Sequence, residues 1–298
     1  MEFPGESEGM HYEGYCIRPP SEANSILLQV TVGCSHNRCT FCGSYKEKRF
    51  RIKEDQIILS DILFASKYMK GQDRVFLMDG DSLIIPQKRL MWILDRIKEH
   101  LPWVRRVGAY ANAKGIKKKS LEELSQLREN GVGILYLGVE SGDEETLRNI
   151  HKGTSAQNLI DMGRKVREAG MKLSVTVLLG IAGRERSLEH ARATGELLSA
   201  MDPNYVGALT VMLIPGTPLY EDLRSGKFQL PTERELLLEL REMIVRTHLT
   251  MGLFFSNHAS NYLPIRAKLP RGKQEAISLI DRALRGEIPL KPECMRAL

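Results

Sequence analysis

The sequence has too few cysteines, in the wrong pattern, for a disulfide framework, and it has no long apolar run. Its five cysteines lie at positions 16, 34, 39, 42 and 294, an odd number with three of them inside nine residues. This pattern excludes a disulfide framework, and in a reducing compartment it points to metal binding. No stretch of 18 apolar residues occurs, so no transmembrane helix is predicted.

The beginning of the chain also lacks the features of a secretory signal. The first ten residues contain Glu2, Glu6 and Glu8 and no apolar run, so no signal peptide is predicted there. Together with the lack of a predicted membrane helix, this leads us to expect a cytoplasmic protein with no membrane partner.

Composition and charge are those of a globular protein with a mildly basic surface. Of the 298 residues, 42% are hydrophobic and 27% are charged, so the chain can bury a core without disulfide bonds. The formal net charge of +6 would favour an acidic partner, substrate or redox protein. It does not by itself indicate nucleic-acid binding.

Strand-like and helix-like segments alternate over most of the chain. β-rich runs predict strands at 26–32, 74–78, 104–109, 133–139, 172–179 and 207–214. Helices are predicted near 54–69, 87–100, 120–129, 155–168 and 187–200. Repeated strand–helix units imply parallel strands joined by right-handed crossovers. Six such strands predict an α/β fold with a partial (β/α)6 TIM-like barrel, not a closed eight-stranded one.

Capping signals mark several of the helix ends. Ser-Leu-Glu-Glu at 120–123 and Thr-Ser-Ala-Gln at 154–157 have the spacing of a capping box at a helix start. Gly131 and Gly170 are typical of residues that end a helix. These signals support the helices predicted near 120–129 and 155–168.

Three regions are predicted along the chain. Residues 1–24 form an N-terminal lead-in, residues 25–222 the barrel, and residues 223–298 a mainly helical C-terminal extension that packs on the barrel. Helices are expected at 231–251 and near 271–285 in this extension, separated by a polar and aromatic stretch.

A cysteine-rich loop follows the first predicted strand. Cys34, Cys39 and Cys42 can each bind one iron of a cubane cluster. Three protein ligands would leave the fourth iron open, and an open metal position is where chemistry occurs. The alternative is a zinc knuckle that also uses His36. It is disfavoured because no second CxxC or HxxxH half exists, and because His36 is too close to Cys34 in sequence for easy tetrahedral closure.

The loop resembles the radical S-adenosylmethionine superfamily, in its coproporphyrinogen-oxidase-like, Elongator-like and methylthiotransferase-like branch. The usual cysteine spacing there is C-x3-C-x2-C, with an aromatic residue before the last cysteine. Phe41 occupies the aromatic position, whereas the first gap is one residue longer, C-x4-C. The resemblance extends from Val30 to Tyr220. It implies a [4Fe–4S] cluster, S-adenosylmethionine as cofactor, and a flavodoxin or ferredoxin as electron donor.

The segment after the second predicted strand matches a further motif of these relatives. Met78-Asp79-Gly80-Asp81 stands where the superfamily has a Gly-Gly-Glu-like motif that receives the methionine amino group. The resemblance therefore implies that Asp79, Gly80 and Asp81 contact the cofactor. The alternative is a plain turn, because Asp-Gly-Asp is favourable turn chemistry.

Two later strand ends also match. The string at 137–142 implies that Glu140 and Ser141 lie at the ribose of S-adenosylmethionine, and an ionised carboxylate can accept from both ribose hydroxyls. Lys152 matches a basic residue that binds the methionine carboxylate in some relatives, although a surface lysine is the alternative. Gly180 and Gly183 belong to a string that resembles the Gly-x-Pro-Gly-Glu motif whose backbone lines the adenine.

The matching segments all follow predicted strands directly. In a parallel barrel such positions converge on the C-terminal end of the strands, where barrel active sites lie. Asn112, after the third strand, joins the expected cofactor contacts. Substrate-side candidates are Tyr110, Asn112, Asn257 and His258, and a satisfied polar turn is the alternative for the last two.

Three functions are compatible with these motifs. The first is a radical enzyme that abstracts hydrogen from a small molecule or cofactor precursor. The second is a tRNA-modifying radical enzyme, although the sequence shows neither an appended RNA-binding domain nor a second cysteine triad. The third is a non-catalytic iron–sulfur or zinc protein that binds a partner.

Overall fold

The computed structural model describes residues 9–297. Glu2, Glu6 and Glu8, on which the expectation of no signal peptide depends, lie outside these described residues. Within them, no helix combines the length and the apolar character needed to cross a membrane.

Ten strands and ten α-helices make up the described chain. The strands are β1 (Ile26–Leu28), β2 (Thr31–Val32), β3 (Arg51–Ile52), β4 (Arg74–Leu77), β5 (Arg106–Ala111), β6 (Val132–Glu140), β7 (Lys172–Leu179), β8 (Tyr205–Thr210), β9 (Gly252–Phe255) and β10 (Arg266–Leu269). The helices are α1 (Asp55–Tyr68), α2 (Gln87–His100), α3 (Ala113–Lys117), α4 (Leu121–Glu129), α5 (Glu144–Asn149), α6 (Ala156–Glu168), α7 (Ser187–Met201), α8 (Pro218–Arg224), α9 (Glu233–Arg246) and α10 (Lys273–Leu284).

These elements form two compact units. The first contains the chain up to Asn37, then Ser44–Tyr136 and Glu168–Lys172. The second contains Arg38–Gly43, Leu137–Arg167 and the chain from Leu173 onward.

The first unit contains parallel strands in the order β1, β4, β5 and the first half of β6. Ile26 lies opposite Val75 and Val75 lies opposite Val107, in parallel register. These apolar residues are buried, as expected for parallel strands covered on both faces. The helix α4 begins with the predicted capping box. The Ser120 hydroxyl accepts from the backbone N–H of Glu123, and the Glu123 carboxylate accepts from the backbone N–H of Ser120.

The second unit contains the end of β6 followed by β7, β8, β9 and β10. β8 is parallel to β7 and to β9, whereas β10 is antiparallel to β9. Helix α9 buries an apolar face against neighbours that include α7. The prediction of an α/β fold with a mostly parallel sheet is therefore confirmed.

Several predicted elements differ from the structure. The predicted strand 26–32 is two strands, because β2 leaves the parallel sheet and pairs antiparallel with β3. The predicted helix 231–251 ends at Arg246, where Thr247 is extended and the chain turns towards β9. The C-terminal extension, expected to be mainly helical, thus also contributes two short strands to the second unit.

Helix α6 starts one residue later than the capping-box spacing at 154–157 predicts. Helix α6 begins at Ala156, and the hydroxyl of Ser155 accepts from the backbone N–H of Asn158. The Thr154 hydroxyl accepts instead from the Asn158 side-chain amide. Two adjacent hydroxyl residues compete for the same cap, and spacing alone does not decide between them.

Candidate functional site

In the first unit, Cys34 lies directly against the segment that follows β4. The backbone N–H of Gly80 donates to the carbonyl of Gly33 at 3.0 Å. A Cβ atom at Gly80 would lie 2.6 Å from Cys34 Cβ and 2.9 Å from Cys34 Cα, which is closer than real contacts allow. Only a glycine therefore lets the backbone of this segment approach Cys34.

Asp79 is fully buried beside this contact and has one unused acceptor. Its Oδ2 accepts from the backbone N–H of Gly33 at 2.7 Å and from Gln29 Nε2 at 3.1 Å, and Lys48 Nζ lies 3.6 Å away. Its Oδ1 is buried and has no hydrogen-bond partner among residues 9–297. Burial raises the pKa of the Asp79 carboxyl, against the opposing effect of its hydrogen bonds and Lys48. A buried oxygen without a partner is costly, so Asp79 Oδ1 suits a positively charged or N–H donor.

Asp81 and Asn112 connect the ends of β4 and β5 to the loop of Cys34. Ser35 Oγ donates to Asp81 Oδ2 at 2.7 Å and accepts from Asn112 Nδ2 at 2.9 Å. Asn112 Oδ1 accepts from the backbone N–H of Gly115 and so caps α3. Both ends of the Asn112 amide are thus engaged within the protein, which favours a positioning role for this residue.

A pH-dependent stability effect is expected from Asp81. Burial raises its pKa from 3.8 to about 6, so between these values the folded state binds more protons than the unfolded state. The free energy of unfolding should therefore fall as pH rises through this window, and stay lower above it. Asp81→Asn removes this titration. The free energy of unfolding of the wild type minus that of Asp81→Asn should fall by about 3 kcal/mol between about pH 4 and about pH 7.

Urea denaturation of the cluster-free protein at several pH values measures this difference. A difference that does not change with pH would contradict the assignment of a buried, weakly acidic carboxyl at position 81.

In the second unit, the segment that carries Cys39 and Cys42 is fixed by backbone and aromatic contacts. The backbone N–H of Thr40 donates to the carbonyl of Ile150 at 3.0 Å, and the Thr40 carbonyl accepts from the N–H of Leu219 at 3.1 Å. Phe41 packs against a buried apolar cluster formed by Ile150, Leu178, Ile181, Val211 and Leu219. The aromatic residue therefore anchors the chain between the two cysteines. Both cysteines are partly exposed, and neither forms a disulfide bond among the described residues.

Glu140 and Lys152, both predicted from resemblance to contact the cofactor, meet in the structure. Lys152 Nζ donates to Glu140 Oε1 at 2.9 Å, and both side chains are largely buried. A Cβ at Gly138 would lie 2.3 Å from Glu140 Oε1 and 3.1 Å from Lys152 Nζ. Lys152 is therefore not a plain surface lysine, and Gly138 leaves room for the pair.

Ser141 and Gly180 are held by two buried titratable residues that the sequence analysis did not identify. Ser141 Oγ lies 2.7 Å from His190 Nδ1. The backbone N–H of Gly180 donates to Glu239 Oε1 at 2.7 Å. Gly180 and Gly183 both have positive φ, +80° and +73°, which favours glycine.

A signal for Glu239 does exist in the sequence. Within α9 the buried apolar residues are Leu236, Leu237, Leu240, Met243 and Ile244. Glu239 lies three residues after the first of these and four before Met243, so it belongs to the same apolar stripe. A charged residue in such a stripe is rarely fully buried unless it is paired, and this makes it a candidate for a specific role.

The substrate-side candidates lie in different surroundings. Tyr110 packs edge-on against Phe76 and Tyr136, with ring centroids 5.0 Å and 6.2 Å away, and burial raises its pKa. His258 Nδ1 contacts Ser260 Oγ at 2.9 Å and accepts from the Ser260 N–H, and Asn257 is exposed. The segment around His258 is thus a hydrogen-bonded polar turn.

The residues at these strand ends suit an iron–sulfur cluster and S-adenosylmethionine by the chemistry of their donors. Cys34, Cys39 and Cys42 can supply sulfur ligands, and Asp79 supplies a buried acceptor without a hydrogen-bond partner in the described part of the chain. Among residues 9–297, no group of three or more His, Cys, Asp or Glu side chains is placed to hold one metal ion.

The chain belongs to the radical SAM superfamily. The profile of this superfamily matches residues 28–197, more than half of the chain. Members of the superfamily are enzymes that use a [4Fe–4S] cluster and S-adenosylmethionine, and they generally need a reductant. The predicted superfamily and both predicted cofactors are thereby confirmed.

Particular relatives are distant. The chain is 22% identical over 256 residues to the uncharacterized protein MJ0486 of Methanocaldococcus jannaschii, covering 78% of this chain and 75% of that protein. The crystal structure of methylornithine synthase (PylB) has a TM-score of 0.51 at 22% identity, over 76% of this chain and 65% of that one. The structure of coproporphyrinogen III oxidase (HemN) from Escherichia coli has a TM-score of 0.51 at 15% identity, covering 75% of this chain and 53% of that one. The chain thus spans less than two thirds of either solved relative, and these likenesses show the fold.

Proposed function

We propose that this chain holds a [4Fe–4S] cluster through Cys34, Cys39 and Cys42 and cleaves S-adenosylmethionine reductively. The resulting 5′-deoxyadenosyl radical would abstract hydrogen from a small-molecule or cofactor-precursor substrate. The observation that carries the proposal is the set of three cysteines within nine residues of one loop, with Cys34 packed closely against Gly80.

When bound, the cluster would supply the electron that breaks the S–C5′ bond of S-adenosylmethionine. The protein's part is to bind and orient the cofactor and to exclude water. Asp79 Oδ1, buried and unpaired, suits the methionine amino group. The Glu140 carboxylate suits the ribose hydroxyls, and Lys152, its ion-pair partner, suits the methionine carboxylate.

The glycine positions shape a turn that would line the cofactor. Gly180 and Gly183 turn the chain after β7 with positive φ, and no Cβ shields their peptide groups. We assign this turn to the adenine. Phe41 would act indirectly, because its ring packs into the apolar cluster and holds the cysteine segment in place.

The proposal includes two partners. The reductant would be a flavodoxin or a ferredoxin, and the surplus of positive charge, +6, favours association with an acidic protein. The substrate class follows the solved relatives named for methylornithine and coproporphyrinogen III. If the substrate is a tRNA, the small-molecule part of the proposal is wrong and tRNA modification takes its place.

Anaerobic reconstitution with iron and sulfide, followed by dithionite reduction and addition of S-adenosylmethionine, tests the proposal. We expect 5′-deoxyadenosine to form, as measured by chromatography and mass spectrometry, and to be absent when dithionite is omitted. A reconstituted protein that binds iron but gives no 5′-deoxyadenosine would favour the non-catalytic function instead.

A further inference from the structure

Helix α9 begins after the residues that match the superfamily profile, yet it places one carboxyl group at a strand end of the candidate site. Glu239 is completely buried. Its Oε1 accepts from the backbone N–H of Gly180 at 2.7 Å, and its Oε2 accepts from the hydroxyl of Ser187. His190 Nε2 lies 3.4 Å from Glu239 Oε1. Glu239 thus meets the turn after β7 and helix α7 together.

His190 extends the same network to the end of β6. Its Nδ1 lies 2.7 Å from Ser141 Oγ and 3.3 Å from Thr194 Oγ1. Thr194 Oγ1 accepts from the backbone N–H of Gly142 at 2.9 Å. Glu239 is therefore hydrogen-bonded to the strand end at Gly180, and its contact with His190 at 3.4 Å connects it to the groups around Ser141.

The network supplies hydrogen-bond acceptors to buried backbone N–H groups. The turns at both strand ends expose backbone N–H groups in a buried region, and an unpaired buried N–H costs free energy. Glu239 accepts from one of them and Thr194 from another. Without these acceptors the two turns would have to rearrange to find other partners.

We infer that Glu239 and His190 are positioning residues that hold the turns at Ser141 and Gly180 in the conformation that binds S-adenosylmethionine. This inference rests on the proposed function of those turns. It gives the C-terminal extension a direct part in cofactor binding. Since the Glu239 carboxyl group accepts from Gly180 and lies against His190, which contacts Ser141, its loss should weaken the binding of S-adenosylmethionine without removing a cluster ligand.

Both oxygens of the Glu239 carboxyl group accept hydrogen bonds, one from Gly180 and one from Ser187. Burial raises the pKa of Glu239 to about 8 and lowers that of His190 to about 4, and both shifts favour the neutral form. Glutamine has the same shape, and its amide oxygen can accept from Gly180 while its NH2 group donates to a neighbour. Glu239→Gln should therefore keep the function that Glu239→Ala loses.

The test measures the dissociation constant of S-adenosylmethionine for the reconstituted protein by anaerobic equilibrium dialysis. We expect Glu239→Ala to raise it by roughly tenfold or more, as for residues that orient ligating groups, with an unchanged iron content. Glu239→Gln should stay within about threefold of wild type, since it keeps the hydrogen bonds. Glu242→Ala is the matched control, because Glu242 lies on the same helix and pairs at the surface with Arg192 of α7.

Hydrogen exchange of the peptides that contain residues 140–143 and 178–183, without S-adenosylmethionine, gives a second readout. Both peptides should exchange faster in Glu239→Ala and not in Glu242→Ala. If Glu239→Ala does not fold, Thr194→Val replaces it, because this nearly isosteric change removes the acceptor for Gly142 and the 3.3 Å contact with His190 Nδ1. We then expect faster hydrogen exchange of residues 140–143 and a severalfold higher dissociation constant for S-adenosylmethionine.

Wild-type binding and wild-type exchange in Glu239→Ala would overturn the inference, and so would a Glu239→Gln variant as damaged as the alanine variant. If the wild type itself does not bind S-adenosylmethionine, the proposed function fails. The exchange comparison then decides alone whether Glu239 holds the two turns.

Discussion

Cys34→Ala, Cys39→Ala and Cys42→Ala should each abolish the formation of 5′-deoxyadenosine. Each thiolate is proposed to hold one iron. The loop contains no fourth cysteine that could replace a lost thiolate. Removal of one member of a group that acts as a unit costs on the order of 1000-fold or more. The measurement is the initial rate of 5′-deoxyadenosine formation after anaerobic reconstitution, normalised to protein.

Cys16→Ala and Cys294→Ala are the matched controls and should keep the wild-type rate. Burial raises the pKa of the Cys16 thiol, and the nearby Asp79 adds to this effect. Cys16 also lies outside the loop that carries the other three cysteines. Cys294 is exposed. Equal damage from the Cys16 variant would show that the ligand assignment is wrong.

Gly80→Ala should reduce the same rate by roughly 100-fold, the effect expected when a reacting group moves by about 1 Å. The new Cβ would stand 2.6 Å from Cys34 Cβ and 2.9 Å from Cys34 Cα. The Cys34 backbone cannot rotate away as the end of a long side chain could, so the loop itself must shift. We expect the iron content after reconstitution to fall as well.

Gly71→Ala is the control for this substitution. Gly71 lies in the first unit, and a Cβ there would meet no atom within 4 Å. Its variant should reconstitute and react like the wild type. A Gly80→Ala protein with normal iron content and normal rate would contradict the proposed packing of Cys34 against the end of β4.

Sequence periodicity predicted the parallel strands β1 and β4 to β8, because each is an apolar run bounded by helix signals. It failed where the chain leaves the sheet after few residues. The segment at 26–32 reads as one apolar strand, but pairing with β4 ends at Leu28, and β2 pairs elsewhere. β9 and β10 were not predicted, because each is a short run that does not stand out from the polar and aromatic stretch between the last two predicted helices.

The candidate site was predictable in part, for a similar reason. Asp79, Gly80 and Glu140 follow strands directly, so strand prediction and motif resemblance lead to the same positions. Glu239 contacts Gly180 across 59 positions of sequence, and only tertiary packing brings them together. The pairing of Glu140 with Lys152 was likewise not predicted, although each residue was named separately.

Electron paramagnetic resonance of the reduced cluster, with and without S-adenosylmethionine, tests the central claim most directly. Three protein thiolates leave one iron open, so the cofactor should bind it. We predict that S-adenosylmethionine shifts the spectrum, and that a label in its amino or carboxylate group produces a hyperfine coupling to the cluster. A spectrum that S-adenosylmethionine leaves unchanged, without such coupling, would contradict an open iron at this site.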